Sequence, residues 1–303
     1  MRRPSAPTRS KLRSAALLCG LTTLATLIFA PDAFANFFTP QTGSPNANKI
    51  NDLYVITLVI AAIIFVGVEG TLLYALIRFR KRRGRVAAQI HGNTRLEIGW
   101  TVGATIILIA LAVVTFTQLE SIRNPPNSPA NGLNLDSSQY AVNGPVRPPN
   151  GRAITIQVNA QQYIWRYTYL HFGTLADQLD DPYSYYKLYV PTNTDIVLKL
   201  VSQDVVHSWW VPDLGGKYQV VPGYTSHGWF IAPKAKTYRG QCAFICGRGH
   251  ARMITEVVAL PPKQWLAWIH GQEQRIKQAN AAQAKARAKQ QNKTGAAAVE
   301  VGG

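Results

Sequence analysis

The chain of 303 residues carries a formal net charge of +17, with 32 Lys and Arg against 15 Asp and Glu. Such a balance is common in nucleic-acid-binding proteins. Here, however, much of the positive charge lies in the first residues, in a short loop between apolar stretches, and in the C-terminal tail. Basic residues in those places serve export and membrane topology, so no nucleic-acid partner is predicted. Three apolar stretches within the first 120 positions also argue against an ordinary soluble protein.

The first apolar stretch predicts a signal peptide over residues 1–35. A basic start precedes the apolar run from Ala15 to Ala30, and the small-residue pattern Ala33-Phe34-Ala35 follows it. This is the order of segments in an exported precursor. A short first membrane helix is the alternative, which is less favoured because the run is short for a bilayer.

Residues 36–120 are predicted to form a transmembrane hairpin. The stretches 53–79 and 98–117 each supply about 20 apolar residues, enough to span a membrane. The loop at 80–95 is rich in arginine, and a basic cluster in a short loop marks the cytoplasmic side. We therefore expect a multi-pass protein of a bacterial-type inner membrane, with both flanks of the hairpin on the periplasmic face.

The composition changes in three steps after the hairpin. Residues 121–152 are dense in Pro, Asn and Gly and predict an extended linker. Residues 153–270 contain short β-rich runs separated by turn residues, typical of an all-β sandwich or barrel. Residues 271–303 are rich in Ala, Gln and Lys with few large apolar residues, which predicts a flexible or weakly helical basic tail.

The segment from Cys242 to Met253 concentrates side chains that bind metals. Cys242, Cys246, His250 and Met253 lie within it, and His207 lies upstream. Thiolate and thioether sulfurs favour copper, and imidazole binds copper readily, so the set indicates an electron-transfer copper site. A Cys242–Cys246 disulfide is a second interpretation for an exported domain. A zinc site with two Cys and two His is a third, although a thioether is a poor zinc ligand.

Several motifs resemble subunit II of the haem-copper cytochrome c oxidases, whose outer domain holds a two-copper centre called CuA. The resemblance runs from about Asn51 to Ile269. The matching segments are His207-Ser-Trp-Trp-Val-Pro212, Val221-Pro-Gly223, Gly240-Gln-Cys242, Cys246-Gly, His250-x-x-Met253 and, before the second helix, His91 to Thr101.

The resemblance implies a membrane-anchored protein whose two helices precede a cupredoxin-like Greek-key β-sandwich or barrel. Cys242 and Cys246 would bridge two copper ions. His207 and Met253 would complete one copper, and His250 with the backbone carbonyl of Phe244 would complete the other. Haem would belong to the partner, the haem-copper catalytic subunit I, to which this subunit passes electrons for oxygen reduction coupled to proton pumping.

Three positions depart from the family pattern. Phe244 replaces a Glu whose carboxylate reaches a magnesium site, so no magnesium contact is expected from Phe244. Gln219 replaces an Asp. Tyr163 replaces the tryptophan that takes electrons from cytochrome c; Trp165 would share a strand face with Tyr163 and could stand in for that indole.

The electron donor is expected to differ from a typical basic cytochrome c. Residues 121–270 contain 13 Lys and Arg against 8 Asp and Glu, whereas a basic donor is steered by an acidic surface. Asp177, Asp180 and Asp181 form one local acidic cluster. We therefore expect a c-type cytochrome that is membrane-bound or less basic than usual.

Three further residues are candidates for electron or proton transfer. Trp209 and Trp210, beside His207, are electron-route candidates, one packing in the core and the other exposed at an interface. Glu97 has two interpretations. It matches the Glu at the cytoplasmic mouth of a proton pathway, and Thr94-Arg-Leu-Glu97 also fits a helix capping box.

Two other functions remain open on sequence grounds. A non-redox structural subunit, as in quinol oxidases, would lack the copper ligands. A membrane-tethered copper carrier would need exposed, exchangeable ligands and would not need a second helix.

Overall fold

The computed structural model describes residues 43–80, 89, 91–172 and 180–300, with side chains to residue 291. The predicted signal peptide and most of the basic loop lie outside the described residues. Within the described residues two long helices come first, α1 (Pro45–Arg78) and α2 (Thr94–Arg123). Both are long and apolar enough to cross a membrane, with mean hydropathy of 2.4 and 2.2 in their most apolar windows. The predicted hairpin is therefore confirmed, although each helix extends beyond its apolar stretch.

The start of α2 differs from the predicted capping box. Asn93 is the N-cap, and its side-chain oxygen accepts a hydrogen bond from the N–H of Leu96. Thr94 is already helical, so it cannot serve as the cap residue of a box with Glu97. The capping interpretation of Thr94 and Glu97 was wrong because Asn93, one residue earlier, is an equally good cap.

Ten strands follow and form two five-stranded sheets. They are β1 (Ile154–Gln161), β2 (Ile164–Tyr169), β3 (Tyr183–Tyr185), β4 (Lys187–Pro191), β5 (Asp195–Ser202), β6 (His207–Trp210), β7 (Tyr218–Val220), β8 (Ser226–Ile231), β9 (Thr237–Cys242) and β10 (Ile254–Leu260). One sheet has the order β3-β2-β1-β5-β8 and the other β4-β10-β9-β6-β7. The pairs β1/β5 and β4/β10 are parallel, and the remaining pairs are antiparallel.

The core of the sandwich is formed by side chains at alternate positions along the strands. Ile154, Ile156 and Val158 of β1 are fully buried, as are Trp165 and Tyr167 of β2. Residues two apart on a strand share a face, so these side chains point to one interior. The predicted all-β sandwich is confirmed.

The segment predicted as an extended linker, residues 121–152, packs against the sandwich at several positions. Leu133, Leu135 and Tyr140 are buried in the main core, and the N–H of Leu133 donates to Thr194 Oγ1 at 2.9 Å. Pro and Asn preclude regular strands here, but they do not prevent single apolar side chains from packing. Composition alone therefore misjudged residues 121–152.

The last helix, α3 (Pro262–Glu300), begins on the sandwich and continues well beyond it. Trp265 and Ile269 are fully buried, and Trp265 Nε1 donates to the Tyr189 carbonyl at 3.0 Å. The described side chains from 274 onward are mostly exposed. The helix continues to residue 300, in agreement with the weakly helical alternative for this tail, because Ala, Gln, Lys and Arg favour helix even without a packed face.

The outer ends of α1 and α2 are hydrogen-bonded to the sandwich. Asn46 of α1 donates to Tyr218 Oη at 2.7 Å, and that hydroxyl donates to the Trp229 carbonyl at 3.0 Å. Trp229 Nε1 in turn donates to the Ile122 carbonyl of α2 at 2.8 Å. One strand, β8, is thus joined to both helices.

Candidate metal centre

Strand ends and one loop place the predicted ligands. His207 is the first residue of β6, Cys242 is the last of β9, and Met253 immediately precedes β10. The loop between Cys242 and Met253 is closed at its base, since the N–H of Cys242 donates to the Met253 carbonyl at 2.9 Å. The N–H of Ala243 donates to the Ser208 carbonyl at 2.8 Å, which fixes the loop against β6.

All the predicted donor atoms lie together. Cys242 Sγ is 3.9 Å from Cys246 Sγ and 3.9 Å from His207 Nδ1. Cys246 Sγ is 3.7 Å from His250 Nδ1 and 3.9 Å from Met253 Sδ. The carbonyl oxygen of Phe244 is 3.3 Å from Cys242 Sγ. The structure therefore brings together the whole ligand set that the sequence predicted.

These separations fit atoms that share a metal ion. Two ligands bound at about 2.0–2.3 Å with near-tetrahedral angles stand about 3.3–3.8 Å apart. The two sulfurs are much farther apart than the ~2.05 Å of a disulfide bond, and both cysteines are free. His207, Cys242, Cys246 and Met253 are buried, which keeps exchange with solvent low.

The electrostatics of the cysteine pair favour neutral thiols when no cation is bound. Burial, and next the neighbouring Cys242, raise the pKa of the Cys246 thiol to about 11. Two thiolates this close are therefore unfavourable at neutral pH unless a positive ion lies between them. The donor set is compatible with a copper centre.

Asp204 orients His207 and was missed by the sequence interpretation. Its carboxylate lies 2.8 Å from His207 Nε2, while Nδ1 of the same ring faces Cys242. Burial would raise the pKa of Asp204, but hydrogen bonds from His207 and from the backbone of Gln162 and Val205 outweigh it and lower the pKa. An ionised Asp204 keeps the proton on Nε2, so the Nδ1 lone pair is free to bind a metal.

Gln162 joins two parts of the site from the turn between β1 and β2. Its backbone N–H donates to Asp204 Oδ2, and its side chain donates to the Cys246 carbonyl, each at 2.6 Å. The neighbouring Tyr163 ring lies so close to Gly247 and Gly249 that a Cβ on either glycine would collide with it. The β1–β2 turn thus covers the ligand loop.

Tyr163 and Trp165 do not share a face. Tyr163 lies in the turn and is 38% exposed, whereas Trp165 is fully buried with its ring centroid 5.9 Å from that of His207. The spacing rule failed because β2 begins only at Ile164, so Tyr163 precedes the strand. Trp165 is therefore not an exposed replacement for the missing indole.

The tryptophan pair beside His207 consists of one buried and one half-buried ring. Trp209 is buried and stacks on Phe230, while Trp210 is half-buried with Lys217 Nζ 4.6 Å from its ring centroid. Gln219 is exposed on β7 opposite Ser208. Glu97 lies in the first turn of α2, remote in sequence from the ligand cluster.

The predicted acidic cluster is not a surface patch in the described residues. Asp180 and Asp181 are buried, and Asp181 accepts hydrogen bonds from the N–H groups of His171 and Phe172. Asp177 lies outside the described residues. The cluster therefore contributes to a turn.

The helical hairpin, the β-sandwich and the buried sulfur and imidazole cluster together define a membrane-anchored protein with a cupredoxin-like domain that carries a candidate metal centre. Residues 33–118 match the family described as cytochrome c oxidase subunit II, transmembrane domain, and residues 154–260 match cytochrome c oxidase subunit II, periplasmic domain. Together these matches span more than half of the chain. The chain belongs to the cytochrome c oxidase subunit II family.

Similar proteins carry the same name. Cytochrome c oxidase subunit 2 of Alkalihalophilus pseudofirmus is 31% identical over 77% of this chain and 61% of its own length. The Cereibacter sphaeroides protein of that name is 28% identical over 80% of this chain and 82% of its own length. The crystal structure of the periplasmic domain of subunit II of cytochrome oxidase from Bradyrhizobium japonicum aligns with 41% of this chain and 95% of that domain, at 24% identity and a TM-score of 0.37. This chain thus spans about three-fifths of the length of the Alkalihalophilus relative.

Proposed function

We propose that the chain is the electron-accepting subunit of a terminal respiratory oxidase. It would take electrons from a c-type cytochrome at a binuclear copper centre. It would pass them to the haem-copper catalytic subunit I, where oxygen reduction is coupled to proton pumping. The observation that carries this proposal is the buried cluster of two thiols, two imidazoles, a thioether and a carbonyl.

The number of donors favours two metals over one. A single tetrahedral zinc needs four ligands, and the cluster holds six donor atoms. Two four-coordinate ions that share both thiolates need two bridging ligands and two terminal ligands each, which is also six. In this arrangement Cys242 and Cys246 would bridge, His207 and Met253 would complete one copper, and His250 with the Phe244 carbonyl would complete the other.

Bound copper would supply one-electron redox chemistry, and the protein would hold its surroundings constant. The ligands come from strand ends and from a loop that is hydrogen-bonded to β6 and covered by the β1–β2 turn. A rigid, largely buried ligand set limits rearrangement when the charge changes. Asp204 fixes the ring of His207, and Tyr163 is the partly exposed aromatic group that lies on the ligand loop.

The surface of the ligand loop supports a donor with an acidic face. Arg248 and Arg252 flank His250 and are both exposed, and neither guanidinium has a carboxylate partner among the described residues. The half-buried carboxylates Asp213 and Glu256 are paired with lysines. Unpaired cations beside the site would attract acidic residues around the haem edge of a donor and repel a basic one.

Reduction kinetics test this donor assignment. The copper-loaded full chain is mixed with reduced acidic-faced and basic c-type cytochromes at low and high salt. We expect the acidic donor to react faster, with a rate that falls as salt rises, and replacement of both Arg248 and Arg252 by Gln to slow it about tenfold.

Replacement of both Arg239 and Lys263 by Gln is the matched control, because it removes two charges elsewhere on the domain. Copper content is measured in each variant so that loss of metal is not mistaken for loss of steering. Fast, strongly salt-dependent reduction by the basic cytochrome would overturn the assignment.

Other expectations complete the proposal. The membrane would be a bacterial-type inner membrane, with the β domain on the periplasmic face and the exported N-terminus produced by cleavage of the signal peptide. Phe244 has no side-chain oxygen, so the chain would make no magnesium contact there. Glu97 would lie at the cytoplasmic mouth of a proton pathway.

Oxygen consumption by the assembled oxidase tests the function itself. Replacement of Cys242 by Ser removes one bridging sulfur, so we expect loss of copper and of activity with a cytochrome donor. Replacement of Ser138 by Ala, an exposed residue in the segment before β1, is the control. If the Cys242 variant retained full activity, above all with a quinol donor, the non-redox structural subunit would be the better assignment.

A further inference from the structure

A pocket of about 380 Å³ lies where the outer ends of both membrane helices meet the sandwich. Ile50 of α1 and Arg123 of α2 line one side, and Lys217, His227 and Trp229 line the other. Its volume lies at the lower end of the range that small ligands occupy, about 300–1,000 Å³. None of the predicted metal ligands or electron-route residues lines this pocket.

The lining is cationic. Arg123 and Lys217 are exposed, and neither has a carboxylate partner among the described residues. No Asp or Glu lines the pocket; Glu120, one turn before Arg123, lines the neighbouring pockets instead. Lys199 lies opposite His227 in the sheet and adds a further positive charge nearby. The electrostatics favour an anion.

The lining also contains an acceptor without a partner. Asn46 is 1% exposed, and its side-chain oxygen has no hydrogen-bond partner although its nitrogen donates to Tyr218. An unsatisfied buried acceptor is costly unless a ligand or water supplies a donor. Asn46 Oδ1 has almost no accessible surface, however, so Arg123 and Lys217 are the polar groups that a ligand would contact.

The depth of the pocket relative to the bilayer limits the choice further. The apolar stretch of α2 ends near Thr117, and Arg123 follows six residues later, about 9 Å along the helix axis. The headgroup layer begins at the edge of the hydrocarbon and is about 5–8 Å thick. Arg123 and the exposed Tyr224 therefore lie at or just beyond the level of lipid phosphates, where basic and aromatic side chains contact headgroups.

We propose that this pocket binds the headgroup of an anionic phospholipid of the outer leaflet. Arg123 and Lys217 would hold its phosphate. Because Tyr218 and Trp229, which join α1, α2 and β8, also line the pocket, a bound lipid would tie the membrane hairpin to the sandwich.

Native mass spectrometry of the full chain, released from nanodiscs that contain phosphatidylglycerol and phosphatidylcholine, tests the proposal. We expect one phosphatidylglycerol to stay bound to the wild type. Replacement of both Arg123 and Lys217 by Gln should weaken its retention at least tenfold. Replacement of both Arg239 and Lys263 by Gln is the matched control and should keep the lipid.

The possible outcomes distinguish a bound lipid headgroup from a free inorganic anion. Equal retention of phosphatidylglycerol by the pocket variant and the control would overturn the proposal. Displacement of the lipid by millimolar inorganic phosphate would also overturn it, because the pocket would then be a site for free anions. Thermal unfolding of each variant checks that the fold is intact.

Discussion

Asp204 shows how a single carboxylate prepares the site for a metal. It accepts a hydrogen bond from His207 Nε2 at 2.8 Å and from the backbone of Gln162, so the imidazole has one orientation and one tautomer. Partners of this kind commonly contribute 10–100-fold in metal affinity. The motif around His207 predicted the ligand, but the partner of the ligand became visible only in the fold.

Replacing Asp204 by Asn should weaken copper binding. The amide cannot stabilise the Nε2–H tautomer as the carboxylate does, so we expect about a 10–100-fold loss of affinity, measured by competition with a copper chelator. Replacement of Asp136 by Asn, an exposed carboxylate far along the chain, is the control. Unchanged affinity in the Asp204 variant would show that the ring is held by packing alone.

Another carboxylate, that of Asp195, affects the stability of the sandwich. It lies fully buried at the start of β5, where its backbone N–H donates to Ser128 and both carboxylate oxygens lack partners among the described residues. Burial raises the pKa of Asp195 to about 7, against a smaller opposing effect of Ser128. The folded protein therefore prefers the neutral acid.

This preference predicts a pH dependence of stability. The folded-state pKa lies above the unfolded value, so the free energy of unfolding falls as pH rises from about 4 to 7 and is constant above that range. Between pH 5 and 8 the loss from this group should be about 2 kcal/mol. Urea denaturation of the full chain, followed by tryptophan emission, should show a smaller loss after replacement of Asp195 by Asn. An equal loss in both proteins would contradict the prediction.

At the scale of elements, local patterns predicted some features and missed others for physical reasons. The two helices and the alternating strands follow from period and length, and the ligand set follows from residue chemistry. The burial of Leu133, Leu135 and Tyr140 depends on surfaces supplied by distant strands, which composition does not encode. Likewise, Trp165 could be placed only once the start of β2 was known.

The junction between α1, α2 and β8 depends on the hydroxyl of Tyr218. That group accepts from Asn46 and donates to the Trp229 carbonyl. Replacing Tyr218 by Phe should reduce the free energy of unfolding by about 1–3 kcal/mol, because buried polar groups lose their partners. Replacement of Tyr224 by Phe, which removes a hydroxyl from a 66% exposed ring, is the control. Equal stability of the two variants would show that the junction is held by apolar contacts.

For the whole molecule, the chain combines a family-typical ligand cluster with unusual surroundings. The five side-chain ligands and the Phe244 carbonyl converge on one buried site, while the loop surface carries Arg248 and Arg252. Tyr163 is 38% exposed in the β1–β2 turn, and Phe244 brings an apolar, 43% exposed side chain to the loop. These residues surround the candidate metal centre, and none of their side chains is one of its predicted donor groups.

The most direct test of the central claim is the metal content of the copper-loaded full chain together with its absorption and electron spin resonance spectra. The account predicts two copper ions per chain that share one unpaired electron. One copper per chain, zinc in place of copper, or a Cys242–Cys246 disulfide without metal would contradict it.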